Sequence, residues 1–164
     1  MAIATMSSKR GYAASAEVNG KLYITAGSNG NGNLLSSTEY ITVEGEVLAG
    51  PKLPSPPRQS HCIIKLPSGK LLITGGSPPS VAKKVLEFDP AKNSYVDMPS
   101  LTTSRFNHAC AVFKSPQHEG RYVVMTAGGY LEETAEILDY SQPNAKWTPS
   151  KIRFFFDFFL ILIF

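Results

Sequence analysis

The sequence predicts an all-β protein built from three copies of one four-stranded unit, and three observations predict it. A short apolar, β-prone run that ends on small residues and glycine occurs three times, as LYITAGSNG from Leu22, LLITGGSPPS from Leu71 and VVMTAGGY from Val123. Its threonines, Thr25, Thr74 and Thr126, lie 49 and 52 residues apart, which is the spacing of a structural repeat and not of a hairpin or helix. Upstream of each run stands an arginine, in KRGYAASAEV, RQSHCIIKL and SRFNHACAVF, with Arg10, Arg58 and Arg105 at intervals of 48 and 47. No stretch sustains a helical period. The prolines at 51, 54, 56, 57, 78, 79, 90, 99, 143 and 149 fall between the strands, where they cost no ladder bonds.

Each unit supplies its strands in the same order. The first follows the arginine, and is expected over Gly11–Val18, Gln59–Lys65 and Phe106–Phe113. A tight glycine-containing connection, Asn19 to Lys21 or Pro67 to Lys70, turns it into a hairpin; the third copy has the longer linker KSPQHEGR. The second strand, Lys21–Ala26, Leu71–Gly75 or Tyr122–Ala127, stops at the glycines, which enter positive-φ conformations without a Cβ penalty. The third is expected over Ser37–Thr42, Val85–Phe88 and Ala135–Asp139, and the fourth near Glu46, Tyr95 and Lys146. KVLEFDPAKNSY and EILDYSQPNAKW superpose with Phe88 on Tyr140 and Tyr95 on Trp147, whereas TEYITVEGEV lacks both aromatics. The units are bounded as 1–53, 54–99 and 100–150. The tail 151–164, KIRFFFDFFLILIF, takes the place of another repeat. It is too short for a membrane helix of ~20 residues and is interrupted by Asp157; it reads as a gene-model artefact, with a strand packed on an open unit or a membrane contact as alternatives.

Composition limits the function classes. The 164 residues carry 16 basic and 13 acidic side chains, a net charge of +3, scattered with no Lys/Arg run that would suggest a nucleic-acid partner. Two cysteines, Cys62 and Cys110, are too few for a disulfide framework and sit in no metal-ligand spacing, so they fit reduced, buried thiols. The N-terminus has no apolar core of signal-peptide kind, which gives a cytoplasmic location as the expectation, with no membrane association.

In R-x-x-H before a strand, ITGGS, and FDPAKNSY or YSQPNAKW with an aromatic pair seven residues apart, the sequence resembles the kelch repeat family over residues 6 to 150. The resemblance implies an incomplete kelch-type β-propeller of three four-stranded antiparallel blades, since one blade cannot bury both sheet faces alone. It gives the glycine doublet a reason, a sharp turn beside the adjoining blade, with Ala26 and Ala127 as the smallest departures. Closed propellers use about four to eight blades, so three should form an open fan prone to self-association through its end faces.

By the same resemblance, Arg10, Arg58 and Arg105 are candidate contacts for a protein or peptide partner, their forked guanidiniums being suited to carboxylates. The competing role is structural, bonding loop carbonyls or a neighbouring blade. Asn29, Lys84 and Tyr130 in the variable loops after the second strands complete the candidate partner-binding set. His61 and His108, with Cys62 and Cys110, suggest a metal or Cys/His site, but they recur on matching strands, whereas a catalytic dyad or metal site is unique; no catalytic, metal or cofactor residue is assigned. Phe88, Tyr95, Tyr140 and Trp147 are read as blade-to-blade packing. The expected function is a non-enzymatic protein-protein interaction module; the alternatives are a fragment of a propeller enzyme, which His118 and the two other histidines hardly furnish with ligands, or a structural fragment without independent function.

Overall fold

A computed structural model describes residues 5–150. Those residues form twelve strands in three antiparallel sheets of four. Blade one comprises β1 (Ala14–Val18), β2 (Lys21–Thr25), β3 (Thr38–Ile41) and β4 (Val47–Ala49). Blade two comprises β5 (Cys62–Lys65), β6 (Leu71–Thr74), β7 (Val85–Asp89) and β8 (Ser94–Met98). Blade three comprises β9 (Ala109–Ser115), β10 (Arg121–Ala127), β11 (Ala135–Asp139) and β12 (Thr148–Pro149). Within each sheet the spatial order is the chain order, and the inner strands β1, β5 and β9 adjoin one another. The architecture is the expected partial propeller. The tail 151–164 lies outside the described residues.

Alternation along the strands builds two cores, one at each junction between blades. Between blades one and two, Tyr23, Val18, Ile63, Leu71, Ile73, Leu86 and Phe88 are buried together. Tyr23 packs edge-on to Phe88 with centroids 5.3 Å apart, and Phe88 lies 4.7 Å from Tyr95. Between blades two and three the core is Leu66, Leu72, Val85, Leu101, Val124, Leu138 and Trp147. Polar tips of the aromatics find partners across the same junctions: Trp147 Nε1 donates to Pro99 O at 2.9 Å and Tyr140 OH to Glu87 Oε2 at 2.7 Å.

Three details depart from the sequence reading. The inner strands begin at Ala14, Cys62 and Ala109, about three residues late, because Tyr12, Ser60 and Asn107 sit in the left-handed region (φ 52°, 55° and 54°) and break the extended run. The third copy is shifted by one residue against the other two. Thr25 pairs with Ala14 and Thr74 with Cys62, each four residues after its arginine, and the residue paired with the matching Ala109 is Ala127, not Thr126. The φ values agree, since Gly75 and Gly76 (58° and 111°) correspond to Gly128 and Gly129 (66° and 128°) and to Ala26 and Gly27 (54° and 94°). Ala127 therefore replaces the threonine and not a glycine. Because side chains alternate faces, Thr126 points the opposite way from Thr74 and occupies the place of Ile73. Likewise Phe88 corresponds to Leu138, and Tyr140 lies two residues beyond it.

The third departure is covalent. Cys62 and Cys110 are not free thiols but a disulfide joining the inner strands of blades two and three, with Cα atoms 6.2 Å apart. Cys62 faces forward from its blade and Cys110 backward from the next, a meeting that the one-residue offset between their positions in the repeat produces. Closing a 48-residue separation restricts the unfolded chain and contributes roughly 3 to 4 kcal/mol in the chain-entropy picture.

Candidate functional site: the loop face of the fan

The arginine and glycine motifs meet at one end of the fan. Gly27 N donates to Arg58 O at 2.9 Å and Gly76 N to Arg105 O at 2.8 Å, so each second glycine is tied to the next blade's arginine backbone. Ser60 N donates to Tyr12 O and Asn107 N to Ser60 O, both at 2.9 Å, stitching the left-handed residues of successive blades into a row. The two glycines do different things. A Cβ on Gly75 would collide with Arg105 O of the adjoining blade, while one on Gly76 would lie 2.8 Å from Gln59 O of its own blade. The first reserves space between blades and the second within one.

The arginine side chains turn inward. Arg58 and Arg105 are each 1% exposed, and the Arg10 side chain is equally buried. Arg10 Nη1 donates to Ala26 O and Ser37 O, and Arg105 Nη1 to Gly128 O and Thr134 O, all between 2.7 and 3.0 Å. Arg10 pairs with Glu39, and Arg105 Nε donates to Glu136 Oε1 at 2.9 Å. Glu39 also accepts from Ser7, and Glu136 from Thr102, so each carboxylate ties the approaching chain to its own sheet. Burial works against the charge of Glu39, but the Ser7 and Arg10 bonds outweigh it and hold its pKa below the usual value. Blade two has Leu86 at this place. Arg58 Nη1 donates to Gly75 O at 3.1 Å without such a carboxylate, and burial lowers its pKa to about 10 against the opposing fields of Asp97 and Tyr95. The arginines hold their own loops, which is the structural role weighed for them; no guanidinium fork is presented to solvent.

The histidines serve the junctions. Thr25 Oγ1 and His61 Nε2 share a hydrogen bond of 2.7 Å, and Thr74 Oγ1 and His108 Nε2 one of 2.8 Å, each spanning two blades. Burial pushes His61 down to about 3 and His108 to about 4, with Arg58 and Arg105 adding to the effect. Both rings are neutral spacers at neutral pH.

What the loop end presents outward is aromatic and polar. Tyr130 is 63% exposed and stacks on Phe106 with centroids 5.3 Å apart. Tyr12 at 69% and Leu131 at 89% are exposed at the same end, which the row from Tyr12 through Ser60 to Asn107 and the bond from Tyr130 N to Phe106 O define. Asn29 Oδ1 accepts from Asn31 N and Asn33 N at 3.0 Å, so it shapes its loop, and Lys84 is exposed at the end of the second loop. Of the sequence candidates, Tyr130 is exposed at this end, Asn29 and Lys84 lie in the loops after the second strands of blades one and two, and the arginine side chains are buried within the blades. Tyr12, Phe106 and Leu131 were missed; the available signal was their position beside an arginine or glycine motif, where the backbone geometry is set by the repeat.

Among known proteins, the family described as "Kelch motif" matches residues 9–46, which makes the first unit a kelch motif. A solved structure titled "Structure of YjhT" matches with a TM-score of 0.67 at 17% identity over 85% of this chain. That likeness is one of fold, part of a β-propeller. The chain spans about half the length of that structure, covering 51% of it. No curated protein matches the chain. Among the described residues no helix is long and apolar enough to cross a membrane.

Proposed function

We propose that this partial kelch propeller is a non-enzymatic interaction module that holds a segment of a partner protein or peptide on its loop face. The fold is one generally used for protein interaction. The observation that supports this face is the set Tyr12, Tyr130 and Leu131, large side chains left exposed at the loop end, with the half-buried Phe106 stacked against Tyr130 and the buried arginines holding the loops. Tyrosine on a fixed backbone contributes contact area at low entropic cost and is enriched where binding energy concentrates. Asn29 and Lys84, in the loops after the second strands of blades one and two, would add polar contacts at the same end. The disulfide suits an oxidising compartment, against the cytoplasmic expectation.

The test is selection of binders from a displayed random-peptide library with the full chain. Enriched peptides should lose binding to the Tyr12→Ser, Tyr130→Ser double variant and keep it for Tyr122→Ser, a tyrosine exposed on a strand outside this cluster. Equal binding to the double variant would remove the loop face as the site. Stoichiometric transition metal in the purified chain would favour the enzyme-fragment reading instead.

A further inference from the structure

We propose that two copies of this chain close head to tail into one ring of six blades, the free face of blade three in each copy packing on the free face of blade one in the other. The inference starts from the two interior junctions, which share one chemistry. A second-strand threonine on the leading blade meets a histidine three residues after the arginine on the following blade, as in Thr25 with His61 and Thr74 with His108. The two end faces depart from this together. The leading position on blade three is Ala127, and the following position on blade one, three residues after Arg10, is Ala13. A hydroxyl is absent on one face and an imidazole on the other.

This matching decides the occupant. A following blade of the R-x-x-H kind would bring a buried imidazole against Ala127 with nothing to bond it, and a leading blade carrying the threonine would set its hydroxyl against Ala13; either loses a buried hydrogen bond. Blade one of a second copy brings Ala13 to Ala127, and both losses vanish. The backbone groups are complementary in the same sense. Gly129 corresponds to Gly27 and Gly76, whose N–H groups donate to the following arginine carbonyl, and Arg10 O is the carbonyl that the second copy would supply. Asn107 O stands where Ser60 O accepts from the next blade, and Tyr12 N is the donor that would meet it.

The faces are also apolar in the way the interior junctions are. On blade three a groove of about 600 Å³ is bordered by Phe113, Met125, Ile137 and Pro149. On blade one Leu22, 39% exposed, and the half-buried Ile24 and Ile41 share the opposite-facing side. Six blades lie within the range of about four to eight in which propellers close.

Light scattering on the full chain across a dilution series should give twice the 17.8 kDa chain mass and no larger species. Ala13→His alone leaves an unpaired imidazole in the new junction and should weaken the dimer roughly tenfold or more, while Ala13→His with Ala127→Thr rebuilds the interior pair and should restore it. Ala127→Asp, whose carboxylate is solvated in the single chain and desolvated in the ring, should give a monomer with unchanged circular dichroism. A monomer at every concentration of the unmodified chain, an open-ended series of masses, or a double variant no better than Ala13→His would overturn the proposal. So would loss of the dimer on deleting residues 151–164, because the tail and not the blade faces would then hold the copies together.

Discussion

Acid should unfold this chain through its two junction histidines before it reaches the carboxylates. His61 and His108 are 6% and 9% exposed, and burial lowers their pKa to about 3 and about 4 in the folded protein. In the unfolded chain each returns to about 6.5. The folded values are the lower ones, so the stability these rings contribute is complete above pH 6.5. It declines as the pH falls, because the unfolded chain takes up protons that the folded chain refuses. The decline levels off only once the pH passes the folded values. Between pH 6 and 4.5 the unfolded state binds about 1.5 to 1.8 more protons, a slope of about 2 to 2.5 kcal/mol per pH unit, and by pH 5 the accumulated loss is about 4 kcal/mol. Typical domains have about 5 to 15 kcal/mol in total, so the effect is large. Urea unfolding at pH 7 and pH 5 measures it: the midpoint should fall with the slope against urea unchanged. His61→Gln with His108→Gln should be less stable at pH 7 but should lose most of the pH dependence between 7 and 5. Equal midpoints for the natural chain at both pH values would show that the imidazoles are not buried neutral groups, and retention of the full dependence in the double variant would assign it elsewhere.

Gly76→Val should cost at least about 2 kcal/mol, since it adds a side chain at φ +111° with its Cβ 2.8 Å from Gln59 O; thermal denaturation reads it, and an unchanged midpoint would mean an ordinary exposed turn. Thr126→Val should raise stability by about 1 kcal/mol, because Thr126 Oγ1 is buried without a partner in a position that blade two fills with Ile73; a fall in the denaturation midpoint would reveal a bond to that hydroxyl.

The sequence by itself determined the number of units, the order and approximate ends of their strands, and the place of each arginine and glycine. These depend on local rules: alternation sets a strand, proline and glycine end it, and a fixed period betrays the repeat. Ala135–Asp139 came out to the residue because EILDY lines up with the same segment of the second unit, KVLEFD. Register was decided only in the folded blade. Thr126 looks equivalent to Thr74 in the chain, yet Ala127 stands between it and the first glycine, so Thr126 lies one residue along the pairing and on the other face. The arginine roles were equally hidden, since Arg10, Arg58 and Arg105 are alike in sequence while their carbonyl acceptors lie 16 to 29 residues away and their carboxylates exist in two blades of three. Contacts between blades lay furthest from the sequence. The bonds of Thr25 to His61 and Thr74 to His108, and the joining of Cys62 to Cys110, connect residues 34 to 48 positions apart. A repeat places such pairs on matching strands, but whether they touch depends on the angle and offset between packed sheets, which the core side chains of both blades set together.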